Sequence, residues 1–198
     1  MFQSNIRVMS RYRREVVRGC VSAIKDGDLD AVKRFYENSS QYEEHTDYWD
    51  AHVCSMAAEH GHLDILIFLH EHGCLWDEQT FTKAVKGGYL DIVKYLDKYV
   101  RRIKDSADNI HASVDIYSWN EDIYDHAIDH GHFEIVKFLY ENGYPWSEDA
   151  CLSAVNEGNL EILKYLRENN CPWNKDECIE YAKLHKRVAI LEWINSPK

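Results

Sequence analysis

Histidine and cysteine are the side chains of this sequence that could bind a metal or act as nucleophiles, and it contains eleven of the first and six of the second. His126 and His130 are four residues apart, so they would share one face of a helix, and His132 follows closely. Zinc binding by these three side chains is the chemistry that the spacing could support, although two histidines one turn apart are only half of a site. A histidine-rich metal-binding protein is therefore one hypothesis.

The cysteines are arranged for packing rather than for thiol chemistry. In the segment NCPWNKDEC, Cys171 and Cys178 lie on either side of a proline and a tryptophan, but the chain contains no C-x2-C pair. When the repeats described below are aligned, cysteine shares one column with Phe81 and Tyr124 and another with Tyr144. A column that accepts these residue types requires apolar bulk and not a thiolate. We therefore predict that the cysteines belong to the core.

Motifs for catalysis are missing from the sequence. It contains no G-x-S-x-G, no glycine-rich phosphate loop and no H-E-x-x-H. Carboxylate pairs such as Glu148 with Asp149 lie where helices are predicted to begin, and the helix dipole is a sufficient reason for them. We expect neither enzymatic activity nor a cofactor.

The composition limits the cellular environment and the partners. A formal net charge of −11 argues against nucleic acid as a partner, because that affinity depends on basic side chains that neutralise phosphates. Two basic clusters, in residues 7–14 and 98–104, keep nucleic acid or acidic lipid as a weaker alternative. The sequence has neither an apolar run long enough for a spanning helix nor a signal peptide, so we expect a soluble cytoplasmic protein with reduced thiols.

Six copies of one unit organise the chain and would position these side chains. An alanine column defines them, and a glycine follows each of the first five alanines by four residues, whereas Lys186 replaces it in the sixth. The alanines are Ala23, Ala57, Ala84, Ala127, Ala154 and Ala182. We predict a single repeat domain over 1–198, with capping repeats at 1–38 and 173–198, internal repeats at 49–75, 76–97, 119–145 and 146–172, and an insertion at 98–118. These are repeats 1 to 6 in chain order.

Each repeat is predicted to contain two helices. Heptapeptides such as LDIVKYL and FEIVKFL carry the apolar pattern of a second helix buried along one broad face. Gly73, Gly143 and Asn170 are predicted to end these helices in the left-handed conformation. Tryptophan precedes the first helix, and the polar residue after it is the predicted N-cap, namely Asp50, Asp77, Asn120, Ser147 or Asn174. The tryptophan would then form a hydrophobic staple with the residue five positions later.

The pattern resembles the ankyrin repeat family, through segments such as AAEHGHLDILIFL and AIDHGHFEIVKFL and the ENG endings, over about residues 16–196. The TPLH tetrapeptide is absent and the linkers are short, so the chain looks like the tryptophan-bearing G-C-P-W variant of protists and large DNA viruses. The resemblance implies an all-α solenoid of six stacked helix-turn-helix repeats with little or no β-hairpin. It also implies a monomeric, non-enzymatic scaffold or adaptor that binds another protein, in the host cytoplasm if the protein is viral.

Binding is expected at first-helix positions that the core does not use and in the central insertion. These positions differ in character between repeats while the core columns do not, as expected of a surface that need only be soluble or of one that recognises a particular partner. Ser55 and Met56 fall in the same set of positions. The predicted binding residues are Glu59, Lys83, Lys86, Asp125, Asp129, Asn156 and Glu157 on the first helices, with Tyr99, Arg101 and Arg102 in the insertion.

Overall fold

The computed structural model describes residues 18–39, 49–105 and 122–196, with the side chains of 102–105 excepted. These residues form twelve helices joined by turns and contain no strand, which confirms the all-α prediction and the absence of β-hairpins in this part of the chain. None of the helices in this part is long and apolar enough to cross a membrane. The predicted cap Asn120 lies outside the described residues.

The helices divide between two compact units, Met1–Lys98 and Tyr99–Lys198. The N-terminal unit contains α1 over residues 18–26, α2 (Leu29–Ser39), α3 (Ala51–Glu59), α4 (Leu63–Glu71), α5 (Glu78–Gly87) and most of α6 (Leu90–Asp105). The C-terminal unit contains α7 (Ile123–Asp129), α8 (Phe133–Glu141), α9 (Ala150–Glu157), α10 (Leu160–Glu168), α11 (Lys175–Leu184) and α12 (Val188–Asn195). The predicted insertion at 98–118 thus begins as a continuation of α6, and its remainder lies outside the described residues.

Within each unit, first helices pack on first helices and second helices pack behind them. In the N-terminal unit α3 contacts both α4 and α5, and in the C-terminal unit α9 contacts α7, α10 and α11. The alanine column lies at these contacts, where Ala57, Ala84, Ala127 and Ala154 are completely buried. A methyl side chain lets two helices approach closely, so the column is explained by packing.

The predicted ends of the second helices are confirmed. Gly73, Gly143 and Asn170 adopt φ values of 88°, 76° and 62°, in the left-handed region that closes a helix. Lys186, which stands in the glycine column of repeat 6, adopts the same conformation with φ of 55°. The backbone therefore keeps the turn even where the residue type does not favour it.

The predicted starts of the first helices are confirmed in three repeats and wrong in one. The carboxylates of Asp50 and Asp77 and the amide oxygen of Asn174 accept hydrogen bonds from backbone N–H groups of the first turn. In repeat 5, however, Asp149 occupies the N-cap position of α9 without a side-chain capping bond, and the buried hydroxyl of Ser147 donates to Asp125 instead.

The tryptophans join neighbouring second helices, which the staple prediction did not include. The ring of Trp76 lies 4.1 Å from His70 at the end of α4 and 6.0 Å from Tyr95 in α6. Trp173 repeats this arrangement between the guanidinium of Arg167, 4.7 Å away, and Trp193, 6.4 Å away. The linker tryptophan is therefore a packing element between consecutive repeats as well as the start of a helix.

Candidate interaction surface

In the N-terminal unit, predicted binding residues lie together on α3 and α5. Lys83 Nζ is 2.8 Å from Glu59 Oε2, so the two side chains form an ion pair across the first helices. The hydrogen bond from Lys83 holds the pKa of Glu59 below its ordinary value. Lys86 is exposed at the end of α5. These three residues present a charged surface that contains both signs.

In the C-terminal unit, the same columns give a more acidic surface. Asp129 at the end of α7 and Glu157 at the end of α9 are exposed. Asn156 is half-buried, and its side-chain amide donates to Glu157 Oε1 over 3.1 Å. Its backbone carbonyl accepts hydrogen bonds from the guanidinium of Arg187. The position of Asn156 is therefore set by repeat 6, while its side chain remains at the surface.

Asp125 has a structural role in addition to its place in the predicted surface. Its carboxylate is half-buried and accepts hydrogen bonds from the hydroxyls of Ser147, over 2.7 Å, and Ser153, over 3.4 Å. Burial raises the pKa of Asp125 above its ordinary value, and the serines act in the opposite direction. Asp125 therefore links α7 to the linker before α9 and to α9 itself.

Two residues predicted for the same surface are buried. Ser55 and Met56 have exposed fractions of 2% and 4%. They lie in the middle of α3, which packs against α4 on one side and α5 on another, so that six consecutive residues from Val53 to Ala58 are buried. The side chain of Ser55 gains no hydrogen-bond partner there. Spacing from the alanine column alone did not reveal this second contact face.

The described residues of the central insertion are used by the fold. Arg101 donates a hydrogen bond of 2.7 Å to the carbonyl oxygen of Asn142, and its guanidinium lies 6.0 Å from the ring of Tyr144. This contact fastens the end of α6 to the end of α8 within the C-terminal unit. Tyr99 is half-buried and has interactions of its own, whereas the side chain of Arg102 is not among those described.

The histidines proposed as zinc ligands follow a structural pattern that occurs twice. His130 Nδ1 donates to the carbonyl oxygen of His126 and its ring stacks 6.0 Å from His132. His60 makes the equivalent bond to the carbonyl of Met56 and stacks 6.4 Å from His62. No group of three or more His, Cys, Asp or Glu side chains in the described ranges could hold a metal ion. The metal-binding alternative thus finds no support there.

In repeats 2 and 6 the residue after the left-handed turn position connects the repeat to the one before it. His62 Nε2 bonds the carbonyl oxygen of Lys25, 3.2 Å away, and its ring lies so close to Gly27 that a Cβ there would be 2.6 Å from His62 Cε1. The guanidinium of Arg187 lies equally close to Gly158, and it donates a hydrogen bond to the carbonyl oxygen of Asn156. Asn156 stands two residues before Gly158, as Lys25 stands two residues before Gly27. Glycine is therefore required for close approach as well as for its φ value.

All six cysteines are free and buried, in agreement with their predicted place in the core. Burial raises the pKa of Cys178 to about 11 and that of Cys20 to about 12. Cys54 also has a raised pKa, first because of its hydrogen bond with Cys74 and then because of burial. The thiols of Cys20, Cys54 and Cys178 are therefore protonated at neutral pH and lack the thiolate that nucleophilic or redox chemistry needs.

One comparison with known proteins agrees with this geometry: a family model described as ankyrin repeats (many copies) fits part of the C-terminal unit. Residues 124–167 match the ankyrin repeat family. The ankyrin-matched stretch runs from α7 through α8 and α9 into α10, and contains Asp125, Asp129, Asn156 and Glu157. No curated protein matches the chain. Ankyrin repeats generally mediate interactions between proteins, and the ankyrin repeat family is a family of non-enzymatic scaffolds.

Proposed function

We propose that the protein is a non-enzymatic interaction module that binds a partner protein through the exposed residues of its stacked first helices. The observation that carries the proposal is the contrast within these helices. Core columns such as the alanines are buried, whereas Glu59, Lys86, Asp129 and Glu157 are exposed and differ in charge from repeat to repeat. Variation that the fold does not require is expected where a partner is recognised.

The chemistry of the surface also favours protein recognition. In the N-terminal unit it offers the Glu59–Lys83 ion pair and the exposed Lys86, and in the C-terminal unit the carboxylates of Asp129 and Glu157. Charges of both signs at the rim of an interface set orientation and association rate more than raw affinity. Tyr99 and Arg102 stay in the proposed surface, whereas Asp125 and Arg101 contribute to it through the contacts that hold the helices in place.

We propose further that the chain is a monomeric, cytoplasmic scaffold or adaptor of the short G-C-P-W type found in protists and large DNA viruses. Analytical sedimentation of the purified chain tests whether it is monomeric in solution. A concentration-dependent increase in mass would contradict it.

The test of the binding surface replaces two exposed carboxylates, one at the end of α7 and one at the end of α9. Asp129→Lys combined with Glu157→Lys should abolish capture of a partner that is first identified by affinity purification and then confirmed with the purified protein. Reversal of an exposed charge on a second helix, Lys164→Glu, is the matched control and should leave capture intact. If the purified partner binds the double variant as tightly as the original chain, and both melt at the same temperature, the surface is wrong.

A further inference from the structure

The end of α11 and the beginning of α12 form an exposed corner of repeat 6 that departs from the repeat pattern. We define the repeat 6 tip as Tyr181, Lys183, Leu184, Lys186 and Val188. Three of these residues have a different chemical character from the column in which they stand, and each departure points to something other than the stability of the fold.

The first departure is a large apolar residue in a polar column. The position two residues after the alanine holds Glu59, Lys86, Asp129 and Asn156 in the earlier repeats, but Leu184 in repeat 6. Leu184 is 72% exposed, and beside it in the sequence Val188 is 62% and Tyr181 37% exposed. An exposed leucine contributes little to the core, so packing does not explain why the column changes here.

The second departure is a charge in the most completely buried column. The position after the alanine holds Ala58, Val85, Ile128 and Val155, all with no exposed surface, and Lys183 in repeat 6. Lys183 is exposed. A further helix pair of the same kind could not stack here without burying an unpaired ammonium, which would cost several kcal/mol. The apolar residues of the tip are therefore not suited to packing against another repeat of this kind.

The third departure concerns charge and backbone together. Residues 181–191 contain Lys183, His185, Lys186 and Arg187 and no carboxylate, in a chain whose net charge is −11. Arg187 is engaged with the carbonyl of Asn156, whereas no ion pair involves Lys183 or Lys186 within the described residues. Lys186 also occupies a left-handed position that glycine holds in the other repeats. A lysine kept at a strained position suggests that its ammonium group has a use.

We propose that the repeat 6 tip docks an acidic segment of a partner protein. The segment places one large aliphatic or aromatic side chain against Tyr181, Leu184 and Val188, and its carboxylates pair with Lys183 and Lys186. The local positive charge within an acidic chain selects for an acidic partner, and the exposed apolar group supplies the anchor. This inference rests on the proposed protein-binding role, but it uses residues of α11 and α12 in repeat 6 that are not among those named for the first-helix surface.

The test uses the full chain and three labelled peptides, followed by fluorescence anisotropy at low and moderate salt. One peptide is rich in Asp and Glu around a central Phe, the second has Ser in place of Phe, and the third has Lys in place of every acid. We expect the first to bind and the other two to bind at least about tenfold more weakly. Added salt should weaken the binding of the first, because exposed charge pairs are screened.

Matched variants locate the site. Leu184→Asn, which introduces the residue of the equivalent position in repeat 5, and the pair Lys183→Glu with Lys186→Glu should each weaken binding of the first peptide about tenfold. Leu75→Asn removes another exposed apolar side chain, 58% exposed, and Lys164→Glu reverses another exposed charge. Both controls should bind the first peptide as the original chain does. Circular dichroism and thermal melting verify that every variant is folded.

Three results would overturn the proposal. They are undiminished binding by Leu184→Asn, an equal loss in Leu75→Asn, and tight binding of the lysine-substituted peptide. Self-association that Leu184→Asn abolishes would assign the tip to a second copy of this chain instead. The peptide assay tests only the repeat 6 tip, whereas partner capture by the Asp129→Lys and Glu157→Lys double variant tests the first-helix surface. Either proposal can therefore fail while the other stands.

Discussion

Replacing Lys186 by glycine is expected to stabilise the C-terminal unit. Lys186 has φ of 55°, in a region that an L-residue with a side chain occupies at a cost of roughly 1–2 kcal/mol. Glycine removes this strain but has more conformational freedom in the unfolded chain, which costs about 0.5–1 kcal/mol. The difference predicts that Lys186→Gly raises the free energy of unfolding by about 0.5–1 kcal/mol.

The matched control is Asn170→Gly, at a left-handed position with φ of 62°. Asparagine tolerates this conformation better than lysine does, so the same substitution should change the stability by only a few tenths of a kcal/mol, in either direction. Urea unfolding at neutral pH gives the midpoint for each variant, and native-state hydrogen exchange of α11 and α12 reports repeat 6 directly. The exchange measurement matters because the ends of a repeat array can unfold separately from the rest.

The reasoning would be refuted if Lys186→Gly lowered the stability of repeat 6, or if Asn170→Gly gained as much as Lys186→Gly. Either result would mean that side-chain contacts, and not the backbone conformation, determine which residue is favoured at these turns. If the repeat 6 tip binds acidic segments, the same variant should also bind the anchored acidic peptide more weakly while being more stable. That combination is typical of a residue kept for function at some cost in stability.

Three further predictions concern buried and half-buried polar groups. Ser55→Ala should raise the free energy of unfolding by about 1 kcal/mol in urea titrations, because it removes a buried hydroxyl without a hydrogen-bond partner, and a decrease would contradict this. Asp125→Ala should lower it by about 1–3 kcal/mol because the buried Ser147 loses its acceptor, and Asp125→Asn, which keeps an acceptor oxygen, should lose less. Burial lowers the pKa of His70, which bonds the hydroxyl of Tyr95, below its ordinary 6.5. Below about pH 6.5 the unfolded state binds the proton first, so stability should fall as the pH falls, and His70→Phe should flatten this part of the curve.

Much of the fold could be predicted because its signals are local. The glycine and asparagine that close the second helices were identified by residue type and spacing, and their φ values confirm the prediction. The caps at Asp50, Asp77 and Asn174 were found in the same way. In each case the interaction joins atoms a few residues apart, so the sequence pattern contains both partners.

The surface was harder to predict because it depends on contacts between repeats. Ser55 has the same spacing from its alanine as exposed positions elsewhere, yet it is buried because α3 packs against two helices. Arg101 looked like part of a free basic cluster, and its partner Asn142 is distant in the chain. The repeat 6 tip could have been noticed from the sequence, since Lys183 and Leu184 both break their columns. Only the structure shows that both side chains are exposed and that neither is buried in the core.

The sequence by itself determined the repeat, the two helices within it and the turns that end them, because periodicity, caps and left-handed residues act over a few positions. The tertiary structure alone decided which polar side chains are available. Ser147 has the spacing and residue type of a cap, but its hydroxyl donates a hydrogen bond to Asp125 of the preceding repeat, and α9 begins at Ala150, directly after Asp149. The physical reason is that a hydrogen bond between repeats competes with the local one, and burial strengthens the preference for the partner within reach.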